Sequence, residues 1–133
     1  MVLYYTAKEI SEKLEDQLKI CKWERVKDGE AFWIELPVVL DFNYQRLTLY
    51  IYPVDDGYII SDDGQTFYEH SFDTEHYISL FNKEDGENHH GIGIDGDFIK
   101  KKYDYDYSLL CAIDEFIRFF IRLDDFMNKN DLT

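Results

Sequence analysis

The stretch LTLYIYPVDDGYIIS, residues 47–61, predicts a β-hairpin and with it the class of the fold. In its first half, leucine and isoleucine alternate with threonine and tyrosine, so the apolar side chains point to one face of a strand. Asp55, Asp56 and Gly57 follow, and this composition is typical of a tight turn. The β-branched and aromatic residues 58–60 then predict the returning strand.

Two further segments have the composition of strands. AFWIELPVVL, residues 31–40, is aromatic and β-branched, but Pro37 has no backbone N–H to donate, so pairing should stop or shift at that residue. GIGIDGDFIKKKY, residues 91–103, predicts a second hairpin with Asp95 and Gly96 in its turn. Together these segments predict an antiparallel sheet of four or five strands.

Helical patterns occupy both ends of the chain. Thr6 and Glu9 fit a capping box, in which the threonine accepts from the first turn and the glutamate reaches back. Apolar residues then recur at every third or fourth position as far as residue 21, which predicts an N-terminal helix. The same periodicity predicts a longer helix from about Asp106 to Asn128.

This last helix carries more apolar residues than one buried face requires. Its main stripe consists of Leu109, Ile113, Phe116, Phe120, Leu123 and Met127. A second stripe contains Leu110, Ile117 and Ile121, and a third contains Ala112, Phe119 and Phe126. Such a helix must be covered from more than one direction. Either it is buried within the domain, or its outer side contacts another molecule, and in the second case Phe119 and Phe126 are the predicted oligomer contacts.

The length of 133 residues fits one domain with one core. We therefore predict a single α+β domain over residues 1–133, in which the sheet is packed by the N-terminal helix and the long C-terminal helix.

A net charge of −14 is the strongest global feature of the sequence. It argues against direct binding to nucleic acid or to an anionic membrane, since phosphate neutralisation needs Lys and Arg at the surface. Between Arg46 and Lys83 the chain has neither Lys nor Arg. The acids of this base-free stretch either keep the protein soluble or form a negative face that meets a basic partner; the predicted face consists of Asp55, Asp56, Asp62, Asp63, Glu69, Asp73 and Glu75.

Two interpretations are open for Asp62, Asp63 and Gly64. Paired carboxylates can bind a divalent cation, but neighbouring residues of a strand point to opposite faces, and no closing glutamate follows at the spacing of a calcium loop. The sequence also has no Glu-x-Lys after this pair, as a metal-dependent nuclease would need. The other interpretation is structural: a turn with Gly64 at positive φ, before a capped helix. We predict the structural role, with no catalytic residue, no metal site and no cofactor.

The order of these segments resembles a family known as domain of unknown function 1828, which is found in bacterial and phage genomes. The resemblance covers roughly residues 30–126. It rests on the proline-containing strand Ile34-Glu35-Leu36-Pro37, on residues 47–53, on the Asp-Asp-Gly-x-Thr turn within residues 57–66, on residues 91–97 and on the helical residues 109–125. Where the family usually reads Leu-Thr before the two aspartates, this chain has Ile60-Ser61. The resemblance implies an α+β fold and no reaction.

The leading functional prediction is a non-enzymatic acidic protein-binding module. Phage-encoded inhibitors and DNA mimics work in this way, by occupying a basic site on a nucleic-acid-handling protein. One alternative is a homo-oligomeric structural or regulatory domain. Another is a metal-dependent hydrolase or nuclease at Asp62 and Asp63. The N-terminus lacks a basic leader and no segment approaches the roughly 20 apolar residues of a membrane span, so we expect a soluble, cytoplasmic protein.

Overall fold

The computed structural model describes residues 6–18, 23–25, 31–40, 45–64, 79, 81, 83, 91–95 and 98–129. These residues form an α+β domain, as predicted. Along the chain, an N-terminal helix comes first, the strands of an antiparallel sheet follow, and a long C-terminal helix comes last. The elements are α1 (Ala7–Gln17), β1 (Trp23–Arg25), β2 (Phe32–Leu40), β3 (Gln45–Val54), β4 (Gly57–Ser61), β5 (Gly93–Asp95), β6 (Phe98–Asp104) and α2 (Leu109–Lys129).

The strands are ordered β1-β2-β3-β4-β6-β5, and each neighbouring pair is antiparallel. The predicted first hairpin is confirmed, because β3 pairs with β4 as far as Val54 and Gly57, which leaves Asp55 and Asp56 as a two-residue turn. The second hairpin is confirmed by the pairing of β5 with β6. Asp95, however, belongs to β5, where it lies opposite Phe98, so its predicted place in the turn is wrong. The short strand β1 lacks a clear alternation and is not predicted from the sequence.

The expected irregularity at Pro37 is also present. Strand β2 pairs regularly with β3 as far as Glu35 and Thr48, and pairing resumes in a shifted register at Val39 and Arg46. The proline lies in the interval between the two registers, as its missing N–H predicts.

One hydrophobic core lies between the sheet and the two helices. Leu47, Leu49 and Ile51 of β3, which the alternation places on one face, are all buried. The apolar stripe of α1 packs into the same core through Ile10 and Leu14. Neither of the two described helices is long and apolar enough to cross a membrane.

Side-chain caps set the starts of both helices. The Thr6 hydroxyl accepts from the Glu9 backbone N–H at 3.2 Å and donates to the Glu9 carboxylate, so the N-cap is confirmed, although the glutamate contacts the hydroxyl rather than the backbone. Helix α2 begins three residues later than the predicted Asp106. Ser108 takes the N-cap position there, with its hydroxyl 3.4 Å from the Cys111 N–H.

The three apolar stripes of α2 differ in exposure. The main stripe is buried, as predicted, and so is the third stripe. Phe119 is fully buried and Phe126 is 8% exposed, because Phe81 packs edge-on against both rings at centroid distances of 5.3 and 5.6 Å. The prediction that these two residues are oligomer contacts is therefore wrong. The outward apolar side chains of the helix are Leu110 and Ile121.

Candidate functional site

Asp62 lies at the end of β4 and is completely buried. One of its carboxylate oxygens, Oδ1, accepts from the Gly64 N–H at 2.9 Å and from the Ile99 N–H at 2.8 Å. The Asp62 N–H in turn donates to the Ile99 carbonyl at 3.0 Å. The side chain therefore ties the end of β4 to the start of β6. Its inclusion in an exposed acidic face is wrong, since a buried carboxylate that binds backbone amides presents no oxygen to a partner.

Asp63 points to a different neighbour. Its backbone takes the left-handed conformation, with φ of 53°, and its N–H donates to the Ser61 hydroxyl at 3.0 Å. The Tyr52 hydroxyl of β3 donates to the Asp63 carboxylate. Burial, and then this hydrogen bond, raise the pKa of Tyr52. The predicted positive φ at Gly64 is confirmed at 75°.

The two aspartates thus do not converge on a common point. Asp62 binds the backbone of β6, whereas Asp63 binds a tyrosine of β3. Among the residues that the structure describes, no three His, Cys, Asp or Glu side chains are grouped as they would be around a metal ion. The arrangement is that of a turn whose two carboxylates satisfy local hydrogen bonds, as the structural interpretation predicts.

Asp55 and Asp56 lie at the other end of β4. The five residues of β4 lie between Asp56 and Asp62, and the six steps along extended chain correspond to about 20 Å. The described part of the predicted acidic face is therefore divided between the two ends of one strand. Three further members, Glu69, Asp73 and Glu75, lie outside the described residues.

In the fold, lysines from a distant part of the sequence lie beside the base-free stretch. Strand β6 pairs with β4 and places Lys100, Lys101 and Lys102 opposite Ser61, Ile60 and Ile59. Lys102 forms an ion pair with Asp56 at 2.8 Å, and this hydrogen bond lowers the pKa of the Asp56 carboxyl. Lys102, which is remote in sequence, thus neutralises one member of the predicted negative surface, Asp56.

The turn of the first hairpin meets a second acidic turn. Gly57 pairs with Asp104 at the end of β6, and the Tyr105 N–H donates to the Asp56 carbonyl at 3.2 Å. The connection from β6 to α2 therefore runs beside the hairpin turn. Four exposed aspartates belong to these two turns, and we call them the acidic end: Asp55, Asp56, Asp104 and Asp106.

Sequence reasoning missed Asp104 and Asp106 as members of this surface. They lie about fifty residues after the hairpin turn, and only the pairing of β4 with β6 brings them beside it. The alternation of aspartate and tyrosine in KKYDYDY, residues 101–107, is the signal that could have drawn attention to them.

A cluster of tyrosines supports the acidic end from beneath. The Tyr103 ring stacks on Tyr58 and Tyr107 at centroid distances of 5.4 and 5.2 Å. The Tyr58 hydroxyl donates to the Tyr107 carbonyl at 2.7 Å. The Tyr107 hydroxyl donates to Glu115 of α2, and this hydrogen bond raises the pKa of Tyr107 to about 12. The two turns are thus fixed to each other and to α2.

The buried hydroxyls of this cluster differ in one respect that can be tested. Tyr103 is 4% exposed and its hydroxyl has no hydrogen-bond partner among the described residues, whereas the Tyr58 hydroxyl has one. An unpaired buried hydroxyl is unfavourable, so Tyr103→Phe should leave stability unchanged or raise it by about 1 kcal/mol.

Tyr58→Phe provides the matched control, because it removes a hydroxyl that is paired. It should lower the free energy of unfolding by about 1 kcal/mol, as it leaves the Tyr107 carbonyl without its donor. Urea denaturation of both variants measures the difference. A larger loss for Tyr103→Phe than for Tyr58→Phe would contradict the assignment of the unpaired hydroxyl.

Comparisons of the chain with protein-family models, with curated proteins and with solved structures found no match. The resemblance to domain of unknown function 1828 stays a prediction.

Proposed function

We propose that the protein is a non-enzymatic binding module whose acidic end occupies a basic site on a nucleic-acid-handling protein. The net charge of −14 is the observation that carries this proposal. A charge of this size repels nucleic acid and attracts the surfaces that bind it, and the attraction extends over a Debye length. Inhibitors that mimic DNA use the same electrostatics.

The arrangement of the acidic end supports the proposal. Two turns that are adjacent in space supply four exposed carboxylates, and the ion pair with Lys102 involves one of them, Asp56. Rows of carboxylates at the surface of a protein present negative charge as the phosphates of a nucleic acid do. Basic sites that evolved to bind phosphates are therefore the class of surface that fits.

Rigidity of the two turns also supports it. The backbone bond from Tyr105 to Asp56 and the hydroxyl bond from Tyr58 to Tyr107 join the turns before any partner arrives. Groups that are already ordered lose little conformational entropy on binding, so their electrostatic attraction is not offset by an ordering cost.

A pair of variants with equal charge tests the proposal. Asp55→Asn/Asp106→Asn removes two charges from the acidic end. Glu24→Gln/Asp125→Asn removes two exposed charges elsewhere, on β1 and near the far end of α2. In α2 the rise of about 1.5 Å per residue places Asp125 about 24 Å from the helix start, beyond a Debye length from the acidic end at physiological salt.

Each protein is immobilised and exposed to cell lysate at about 50 mM and about 500 mM salt, which differ strongly in screening. We expect the wild type and the control variant to retain the same basic protein at low salt, and Asp55→Asn/Asp106→Asn to lose most of it. A short DNA duplex added to the complex should displace the retained protein. Equal retention by the two variants, or retention that DNA does not affect, would contradict the proposal.

A further inference from the structure

The outward face of α2 carries an apolar stripe that the fold leaves uncovered. Leu110 is 42% exposed and Ile121 is 52% exposed, while Ile117 lies between them and packs partly against the core. Leu110 and Ile121 are eleven residues apart, which is about 16 Å along a helix, or three turns. Leu110, Ile117 and Ile121 are spaced by seven and then four residues, so they share one side of the helix.

Two charged residues run beside this stripe. Asp114 and Arg118 form an ion pair at 2.8 Å, but their side chains remain 57% and 66% exposed. A guanidinium has five N–H donors and a carboxylate can accept several hydrogen bonds, so this one contact satisfies neither group. Both can therefore bind a second partner of opposite charge.

Four residues on this face follow one another in an order that is symmetric in chemical character. Along α2 it is apolar Leu110, acidic Asp114, basic Arg118 and apolar Ile121. When the helix is reversed, apolar residues lie opposite apolar residues and the acid lies opposite the base. If Leu110 is set opposite Ile121 of a reversed copy, Arg118 comes within one residue's rise, about 1.5 Å along the axis, of Asp114 of that copy.

We propose that the outward face of α2 binds a second copy of this chain, as an antiparallel pair of α2 helices related by a two-fold axis. Such an interface is isologous, so each contact occurs twice: Leu110 with Ile121, and Asp114 with Arg118. Charge complementarity selects a second copy as the occupant, because one helix face supplies both halves of every pair. This surface is distinct from the acidic end, and the inference does not depend on the proposed function.

The interface is small, and this determines the conditions under which it forms. Three turns of one helix bury less surface than a standard protein interface of about 1,600 Å², so the association is weak and depends on concentration. Two chains of charge −14 also repel each other. Salt screens this repulsion, so self-association should strengthen with salt, whereas binding through the acidic end should weaken.

Sedimentation velocity over a range of concentrations at low and high salt tests the pairing. The wild type should shift from monomer towards dimer as concentration and salt rise. Ile121→Glu should raise the dissociation constant at least about tenfold, since it places a charge opposite Leu110. Val39→Glu is the matched control, because Val39 is exposed to a similar extent, at 57%, but lies on β2. A wild type that stays monomeric at the highest concentration in high salt, or equal effects of the two substitutions, would overturn the proposal.

Charge reversal provides a second test that does not depend on apolar contacts. Asp114→Arg alone places bases opposite bases, and Arg118→Asp alone places acids opposite acids, so each variant should be monomeric. An equimolar mixture of the two should associate, because each charge then faces its opposite across the two-fold axis. The pair within one helix cannot produce this rescue, as it is broken in both variants. Failure of the mixture to associate while the wild type dimerises would overturn the antiparallel arrangement.

Discussion

Gly57→Ala should destabilise the protein strongly, because the added methyl group has no room. A Cβ atom at this position would lie 2.0 Å from the Tyr103 carbonyl oxygen and 3.1 Å from the carbonyl carbon. Both atoms belong to the backbone of β6, so no side-chain rotation can relieve the overlap. Strand β6 would have to move away from β4, and we expect a loss of about 3 kcal/mol in the free energy of unfolding.

Gly93→Ala is the control for this prediction. Gly93 also lies in a strand, but a Cβ there meets no atom within 4 Å. The change should be neutral, or stabilise by about 0.5 kcal/mol through the lower entropy of the unfolded chain. Urea denaturation of both variants gives the comparison, and a loss at Gly57 no larger than at Gly93 would contradict the close approach of the strands.

The second large effect is expected at Asp62. Asp62→Ala leaves the Gly64 and Ile99 amides buried without the oxygen that accepts from both. An unsatisfied buried group costs about 1–3 kcal/mol, so the free energy of unfolding should fall by about 3 kcal/mol or more. Asp62→Asn should lose much less, because the amide oxygen can accept from the same two N–H groups.

Asp55→Ala serves as the matched control. It removes the same side-chain carboxylate from an exposed turn, so the free energy of unfolding should change by less than about 0.5 kcal/mol. In chemical denaturation, Asp62→Ala should therefore have a much lower free energy of unfolding than Asp62→Asn and Asp55→Ala. If Asp62→Ala and Asp55→Ala were equally stable, the carboxylate would not join β4 to β6, and the interpretation of Asp62 and Asp63 as a site of chemistry would return.

Much of the fold could be predicted from the sequence because burial follows a period. The alternation in residues 47–53 and the spacing of the main stripe of α2 each identify a buried face without knowledge of its neighbours. Pro37 likewise acts locally, since its missing N–H disrupts pairing whichever strand lies beside it. These features depend on nearby residues and on elementary geometry.

The fates of Asp62 and Asp63 could not be predicted in the same way. Two identical residues are adjacent in sequence, yet one is buried against β6 and the other binds a tyrosine of β3. The difference depends on Ile99, which is 37 residues away in sequence, and on a strand order that places β6 beside β4. The sequence identifies the turn but not the partners of its side chains.

The outward side of α2 shows the same limit. With three apolar stripes, the helical period cannot decide which one faces solvent. Phe81, which lies between β4 and β5 in the sequence, decides it by covering Phe119 and Phe126. Gly57 is a different case. From the sequence we infer only that this glycine permits the turn, whereas its steric role depends on the close approach of the Tyr103 backbone.

The two outermost strands of the described sheet, β1 and β5, are only three residues long. An outermost strand exposes unpaired backbone groups that can template pairing with another chain, and short ones offer little length for it. Such pairing would make a chain with 17% aromatic residues prone to aggregation, since strand-to-strand stacking of aromatic segments leads to fibrils. Among the described residues, only β4 is paired along its whole length on both sides, so its apolar residues Tyr58, Ile59 and Ile60 are the segment that the sheet protects most completely from such pairing.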